Sequence, residues 1–328
     1  MKYLFHRVIF ILCVLLLSGC GRNKEPFSKT DFVMDTVATV TVYDDMPETE
    51  ANEILTLCFD EIRRYERLFS AEIPGSDVDR INSAKGETVE VSKETAELID
   101  TALKYSVLSD GAFDITIRPV SKLWDFRSGS TDLPDKDEIS EALDHVSYEN
   151  IILDKEGSKV SLKDPEAGIE LGAIAKGYTG DRIRDLLMEK GVKSAIINLG
   201  GNVVLIGKKR DGSDFKIGVE KPFGKEGEMI KTIDVSDASV VTSGNYERYF
   251  KRDGKIYHHL LDTGTGYPAD TGLNAVTVIS EKSVDGDALS TACFCLGREG
   301  TEKLINSLDD KSIKVYLIDS DNEIEEVK

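Results

Sequence analysis

Asp287 and Thr291 are two oxygen-bearing side chains four residues apart in the run Asp285-Gly-Asp287-Ala-Leu-Ser-Thr291-Ala-Cys-Phe-Cys-Leu296. That spacing puts both on one face of a helix. A carboxylate and a hydroxyl are hard donors; two on one turn favour magnesium over zinc or copper, and magnesium typically bridges to substrate phosphates. A structural role fits the same pair, with the aspartate in the helix's first turn and the threonine bonding a backbone carbonyl. A second run, Glu170-Leu-Gly-Ala-Ile-Ala-Lys176-Gly-Tyr-Thr-Gly-Asp181, sets small residues at a strand-to-helix junction and puts Lys176 near the helix start. A cation there opposes the helix dipole, which points to an anionic partner, a phosphate or Glu170. A tight turn with a solvated lysine is the structural alternative. His258 and His259 follow the segment Thr242-Ser-Gly-Asn-Tyr246 and precede Leu-Leu-Asp-Thr-Gly-Thr-Gly-Tyr-Pro268. Either histidine can act as acid or base near neutral pH, or serve as hydrogen-bonding scaffold. Neither GxxxxGK[ST] nor a strand-linked GxGxxG occurs, which disfavours a P-loop or Rossmann nucleotide site.

These residues need elements to hold them. Residues 32–43 alternate β-branched side chains and read as a strand. From Glu48 to Phe69, Ile54, Leu55, Cys58, Ile62, Tyr65 and Leu68 recur at three- and four-residue steps and make one helical face. Further helices are expected over 93–108, 135–146, 175–190 and from 285 to 296. Strands are expected near 194–198, 203–208, 215–219, 232–235, 240–243, 256–261 and 275–279. Adjacent strands on short turns, with helices in blocks, indicate an α+β fold of mixed and largely antiparallel sheets with packed helices.

Lys2 and Arg7 flank the start of ten apolar residues, Val8 to Leu17, half of the about 20 that a bilayer span requires. The run reads as a signal peptide. Leu17-Ser18-Gly19-Cys20 resembles the bacterial lipobox, which implies cleavage before Cys20 and a lipid on its sulfur; residues 20–30 then form a polar tether. The expected location is an exported lipoprotein anchored to a bacterial membrane on its outer side, periplasmic or extracellular. The formal charge of −19 makes nucleic acid a poor partner. Cys58, Cys293 and Cys295 have no metal-type spacing and read as buried thiols.

In order along the chain stand Met34-Asp-Thr36, Gly111-Ala-Phe-Asp114-Ile, Leu123-Trp124-Asp-Phe126, the Glu170–Gly177 stretch, Asn198-Leu-Gly-Gly-Asn202, Thr242–Tyr246, His258–Pro268 and Asp287–Thr291. That order resembles the ApbE family of FAD:protein FMN transferases. The resemblance implies a flavin transferase domain over 31–328 that moves FMN from FAD to a Thr or Ser hydroxyl of an exported protein, with AMP released. The acceptor it implies is a subunit of a membrane redox complex. It implies magnesium held by the Ala173 carbonyl, Asp287 and Thr291, and FAD contacts at Met34, Glu72, Ala112, Phe113, Asp114, Glu170, Lys176 and Leu261. Trp124 is expected close to the flavin. His259 and Lys176 are the expected catalytic groups, His259 for proton transfer ahead of His258 or a carboxylate, and Lys176 as a second cation.

The chain departs from the family's common pattern at three positions. Asp35 stands where members commonly have glycine, Thr263 where they have proline, and Glu72 where many carry an aromatic ring. The competing readings are an FAD pyrophosphatase that uses water as acceptor and a flavin-carrying lipoprotein without chemistry.

Overall fold

The computed structural model describes residues 25–126, 128–225 and 227–327. The expected signal peptide and the lipidated Cys20 lie outside them.

The chain enters through a hairpin of β1 (Phe27–Val33) and β2 (Thr36–Val42), in register from Phe27↔Val42 to Val33↔Thr36. This corrects two expectations: strand pairing begins at Phe27, inside the expected tether, and 32–43 takes in the end of β1, the turn and β2 rather than one strand. The turn residues Met34 and Asp35 both take left-handed backbone angles, φ +54° and +62°. Two-residue hairpin turns of this kind are usually marked by Asn-Gly or Gly-Gly, so Met-Asp carries no turn signal in the sequence.

Helix α1 (Glu48–Phe69) has the expected bounds, and Ile54, Leu55, Cys58 and Ile62 on its apolar face are fully or almost fully buried. They pack with Val40 of β2, with Ile183 of α6 (Ala175–Glu189) and with Ile197 of β6 (Ala195–Leu199). A smaller layer follows α1: α2 (Asp77–Ser83), β3 (Val89–Glu90), α3 (Lys93–Leu108), α4 (Arg118–Ser121), α5 (Lys136–Leu143), β4 (Ile151–Asp154) and β5 (Lys159–Leu162). Ser76 and Ser92 cap α2 and α3 by accepting the N–H groups of Asp79 and Thr95, each satisfying a donor that the first helical turn leaves open.

The second half builds the main sheet. Its elements are β6, β7 (Asn202–Ile206), β8 (Phe215–Glu220), β9 (Met229–Val235), β10 (Ser239–Gly244), β11 (Tyr249–Arg252), β12 (Lys255–His258), β13 (Leu273–Ser280), α7 (Ser283–Ser307), β14 (Lys314–Asp319) and β15 (Ile324–Val327). Eight strands pair in the order β1-β2-β6-β7-β10-β13-β14-β15, every neighbour antiparallel. The α+β expectation holds. Helices α1, α6 and α7 cover one face, while the β8–β9 ribbon lies on the other through Phe215 and Val235 against Leu205, Val240 and Ile279. Coverage on both faces explains why all eight residues of β13 are buried. The region expected as one strand over 256–261 splits into β12 and a single bridge, Leu261↔Pro268. Helix α7 runs past the expected 296 and is interrupted at Gly297, whose φ of +66° a side chain would strain.

Helices α6 and α7 meet at the point that matters for chemistry. A Cβ added at Gly177 would come within 2.4 Å of the Ser283 carbonyl oxygen and 2.7 Å of the Asp287 Cβ. The glycine is there because two helices approach too closely for any side chain.

Candidate active site

Helix α6 presents the N–H of Gly177 to α7, where it donates to Asp287 Oδ2 at 2.8 Å. Asp287 is 3% exposed, and the bond fixes one carboxylate oxygen at the foot of a cleft. Lys176 Nζ lies 3.9 Å from Oδ1, beyond hydrogen-bonding distance. Among the described residues Oδ1 has no hydrogen bond. Its neighbour one turn on, Thr291, faces Ser243 of β10, with hydroxyl oxygens 3.4 Å apart. Ser243 also bonds Ser290 at 2.8 Å.

A cavity of about 1420 Å³ opens above these groups. The expected metal, flavin and catalytic residues all line it: Met34 and Glu72 from the first third of the chain, the Ala112-Phe113-Asp114 turn, Glu170, Ala173 and Lys176 at the start of α6, His259 and Leu261 after β12, and Asp287 and Thr291 on α7. Trp124 lines it too, donating its indole N–H to the Gly266 carbonyl at 3.0 Å and stacking with Phe126 and Tyr257. The indole is thereby fixed in orientation at the wall.

The two histidines part company. His258 is 5% exposed and faces the core, with Nε2 3.2 Å from the Ala269 carbonyl and its ring edge-on to Phe294. Burial pushes its pKa down to about 4. His259 lines the cleft, and its Nδ1 stands 3.4 Å from the Arg248 carbonyl. Burial first, then the charges of Arg248, His258 and Lys176, push its pKa down to about 3. The ring is therefore neutral at pH 7 and has a lone pair to offer.

Asp114 differs from expectation in what it can touch. Its Oδ1 accepts the Thr116 N–H and hydroxyl and its Oδ2 accepts the Tyr148 N–H, each at 2.7 Å. Burial raises its pKa above the ordinary carboxylate value against those bonds. The carboxylate shapes the turn and leaves backbone groups of 112–114 to meet a ligand.

Sequence reasoning missed several residues of the cleft. Arg118 donates to Glu72 Oε1 at 2.7 Å and stands 3.9 Å from Glu170 Oε2, while Ser121 donates to Glu170. Glu66 accepts the Met34 N–H at 2.7 Å and so holds the β1–β2 turn. Glu247 is open to the cleft, and the surrounding protein still displaces enough water to push its carboxyl up to about 7, ahead of the opposing charges of Lys176 and Arg248. Nothing about Arg118, Glu66 or Glu247 in the sequence marks them, because single charged residues in a run are ordinarily solvated. The departure at Thr263 has a local account: its hydroxyl donates to the Gly111 carbonyl at 2.9 Å, tying the 262–266 loop to the 112–114 turn.

The model of the ApbE family matches residues 34–317, nearly the whole described chain. The chain belongs to the ApbE family. Among curated relatives, an FAD:protein FMN transferase of Klebsiella pneumoniae (strain 342) is 43% identical over 242 residues, covering 74% of this chain and 75% of its own. Another, from Treponema pallidum (strain Nichols), is 34% identical over 313 residues, 90% of this chain and 86% of its own. The crystal structure of an ApbE protein from Thermotoga maritima superposes with a TM-score of 0.84 at 33% identity, covering 93% of this chain and 97% of that one.

Proposed function

We propose that this chain is an FAD:protein FMN transferase: it cleaves FAD and joins the FMN half to a Thr or Ser hydroxyl of an acceptor protein, releasing AMP. One observation carries the reading. Residues from segments as far apart as Met34 and Thr291 meet in a single cleft that offers a buried carboxylate, a hydroxyl, a lysine and a neutral histidine together. Two relatives bearing that activity's name, each matched over three quarters or more of its own length, support it.

The donor set fits magnesium. Asp287, Thr291 and the Ala173 carbonyl are all hard oxygens, and Asp287 is oriented by Gly177 with Oδ1 left open. Bound there, the ion supplies charge neutralisation for the pyrophosphate. The chain's own groups do the rest. Lys176 adds a second positive charge beside Asp287, where the pyrophosphate of FAD would lie. His259 accepts the hydroxyl proton as the new O–P bond forms at the FMN phosphorus and the bond to the AMP oxygen breaks. An anionic pyrophosphate offsets the Lys176 and Arg248 charges that depress His259, so substrate binding raises its basicity. Trp124 and the 112–114 turn form a wall for the flavin. Export and lipid anchoring at Cys20 would bring the cleft to acceptors at a membrane surface.

The test is intact-mass analysis of a threonine-bearing acceptor after incubation with the full chain, FAD and Mg2+. A gain of one esterified FMN, absent with EDTA and in Asp287→Ala, supports the transferase and its metal. FMN and AMP accumulating beside an unmodified acceptor would replace it with the pyrophosphatase, and intact FAD with the carrier.

A further inference from the structure

The residue at position 35 should be a glycine on backbone grounds. It is the second residue of a two-residue hairpin turn at φ +62°, a conformation that glycine adopts freely and that strains L-residues, aspartate less than most. The strain is retained beside a specific contact. Arg248 Nη2 lies 3.2 Å from Asp35 Oδ2 and donates to the Asp35 carbonyl at 3.1 Å. Both side chains are more than a third exposed, 37% and 44%, so the ion pair adds little to stability. Its effect is geometric, because it clamps the residue whose carbonyl faces His259.

Arg248 sits one residue before β11, and its carbonyl accepts the backbone N–H of His259 at 3.2 Å and faces the ring Nδ1 at 3.4 Å. A carbonyl oxygen only accepts, so Nδ1 carries the proton and Nε2 has the free lone pair. Asp35, Arg248 and His259 all line the cleft. The chain of contacts therefore runs from the tip of the β1–β2 hairpin, through Arg248, to the imidazole.

We propose that Asp35 is a positioning residue: by holding Arg248 it fixes the Arg248 carbonyl against His259 and so sets the Nδ1–H tautomer that leaves Nε2 able to take the acceptor's proton. The proposal rests on the FMN-transfer reading for its kinetic consequence, not for the tautomer itself. A glycine at 35 would keep the carbonyl that accepts from Arg248; what Asp35 adds is the carboxylate 3.2 Å from the guanidinium.

The test uses the full chain with histidine labelled in 15N, the His259 ring resonances being assigned by their disappearance in His259→Gln. Wild type is expected to show the Nδ1–H pattern at His259. Asp35→Gly relaxes the turn, so its Tm is expected at or above wild type, yet its His259 signal moves toward a tautomer mixture. Its kcat for FMN transfer falls about 10-fold or more, while KM for FAD is unchanged, as expected when a reacting group is displaced and substrate binding is left intact. Asp35→Asn, which keeps an oxygen for Arg248, restores most of kcat. An Nε2–H tautomer in wild type, or an Asp35→Gly protein with wild-type His259 signals, would overturn the assignment. A wild-type chain that transfers no FMN would instead remove the functional reading, and the tautomer comparison would still decide the role of Asp35.

Discussion

Gly177→Ala separates a helix-propensity argument from a packing argument, because the two give opposite signs. Alanine inside an ordinary helix is more favourable than glycine by about 1 kcal/mol, and position 177 lies near the start of α6. The added Cβ would stand 2.4 Å from the Ser283 carbonyl oxygen and 2.7 Å from the Asp287 Cβ, well inside ordinary van der Waals contact. The first obstacle is backbone, which cannot rotate away as a side chain does. Relief requires α6 and α7 to separate, and overpacking of this kind costs about 1–3 kcal/mol. Because the clash is with backbone, the upper end of that cost applies, and about 2 kcal/mol remains after the gain in propensity, which lowers Tm by about 3 °C for a chain of about 300 residues. Separation also lengthens the bond from the residue 177 N–H to Asp287 Oδ2, so Mg2+-dependent activity should fall further than stability does. Thermal unfolding of the metal-free protein and a Mg2+ titration of FMN transfer measure the two effects. A Tm equal to or above wild type would refute the reasoning, because it would mean that the helices are not held in contact at that point.

Other consequences are open to direct measurement. The chain has one tryptophan, and Trp124 lines the cleft, so FAD should quench its fluorescence in a saturable way; a titration with no change would remove Trp124 from the flavin wall. Glu247, raised to about 7 from 4.5, holds its proton more tightly folded than unfolded. The wild type should therefore lose stability relative to Glu247→Gln as pH rises from about 4.5 to 7, with no difference developing below that window and a constant one above it. The size will be modest because Glu247 touches cleft water; parallel Tm curves for the two proteins in EDTA across the whole range would contradict the shift. Thr263→Val should remove the hydroxyl bond to the Gly111 carbonyl and lower stability by about 1 kcal/mol, visible in urea unfolding, whereas unchanged unfolding would mean that the two loops are held without it.

Local pattern carried the helices and most strands. The three- and four-residue recurrence over Glu48–Phe69 marked α1 to the residue, and the run into Gly191 marked the end of α6. Asp287 and Thr291 were legible as neighbours because helical spacing alone puts them on one face. The Met34-Asp35 turn was not legible, since neither residue type advertises a left-handed backbone, and it took the pairing of Val33 with Thr36 to reveal it. Helix α2 is seven residues long, too short for periodicity to register.

What the sequence determined by itself was the longer helices and most of the strands, the α+β class and the residue types able to hold a metal and a phosphate, because these follow from short-range spacing. Only the tertiary structure decided which of two adjacent histidines reaches the cleft. His258 and His259 are adjacent at the end of β12, so their side chains take opposite sides; which side is core depends on Ala269 and Phe294, distant in the chain. The same holds for the Gly177–Asp287 bond, the Arg118–Glu72 pair and the Asp35–Arg248–His259 line. Each brings together residues from separate elements, and no local rule of spacing joins such partners; the packing of α6 on α7 and of one hairpin against another does.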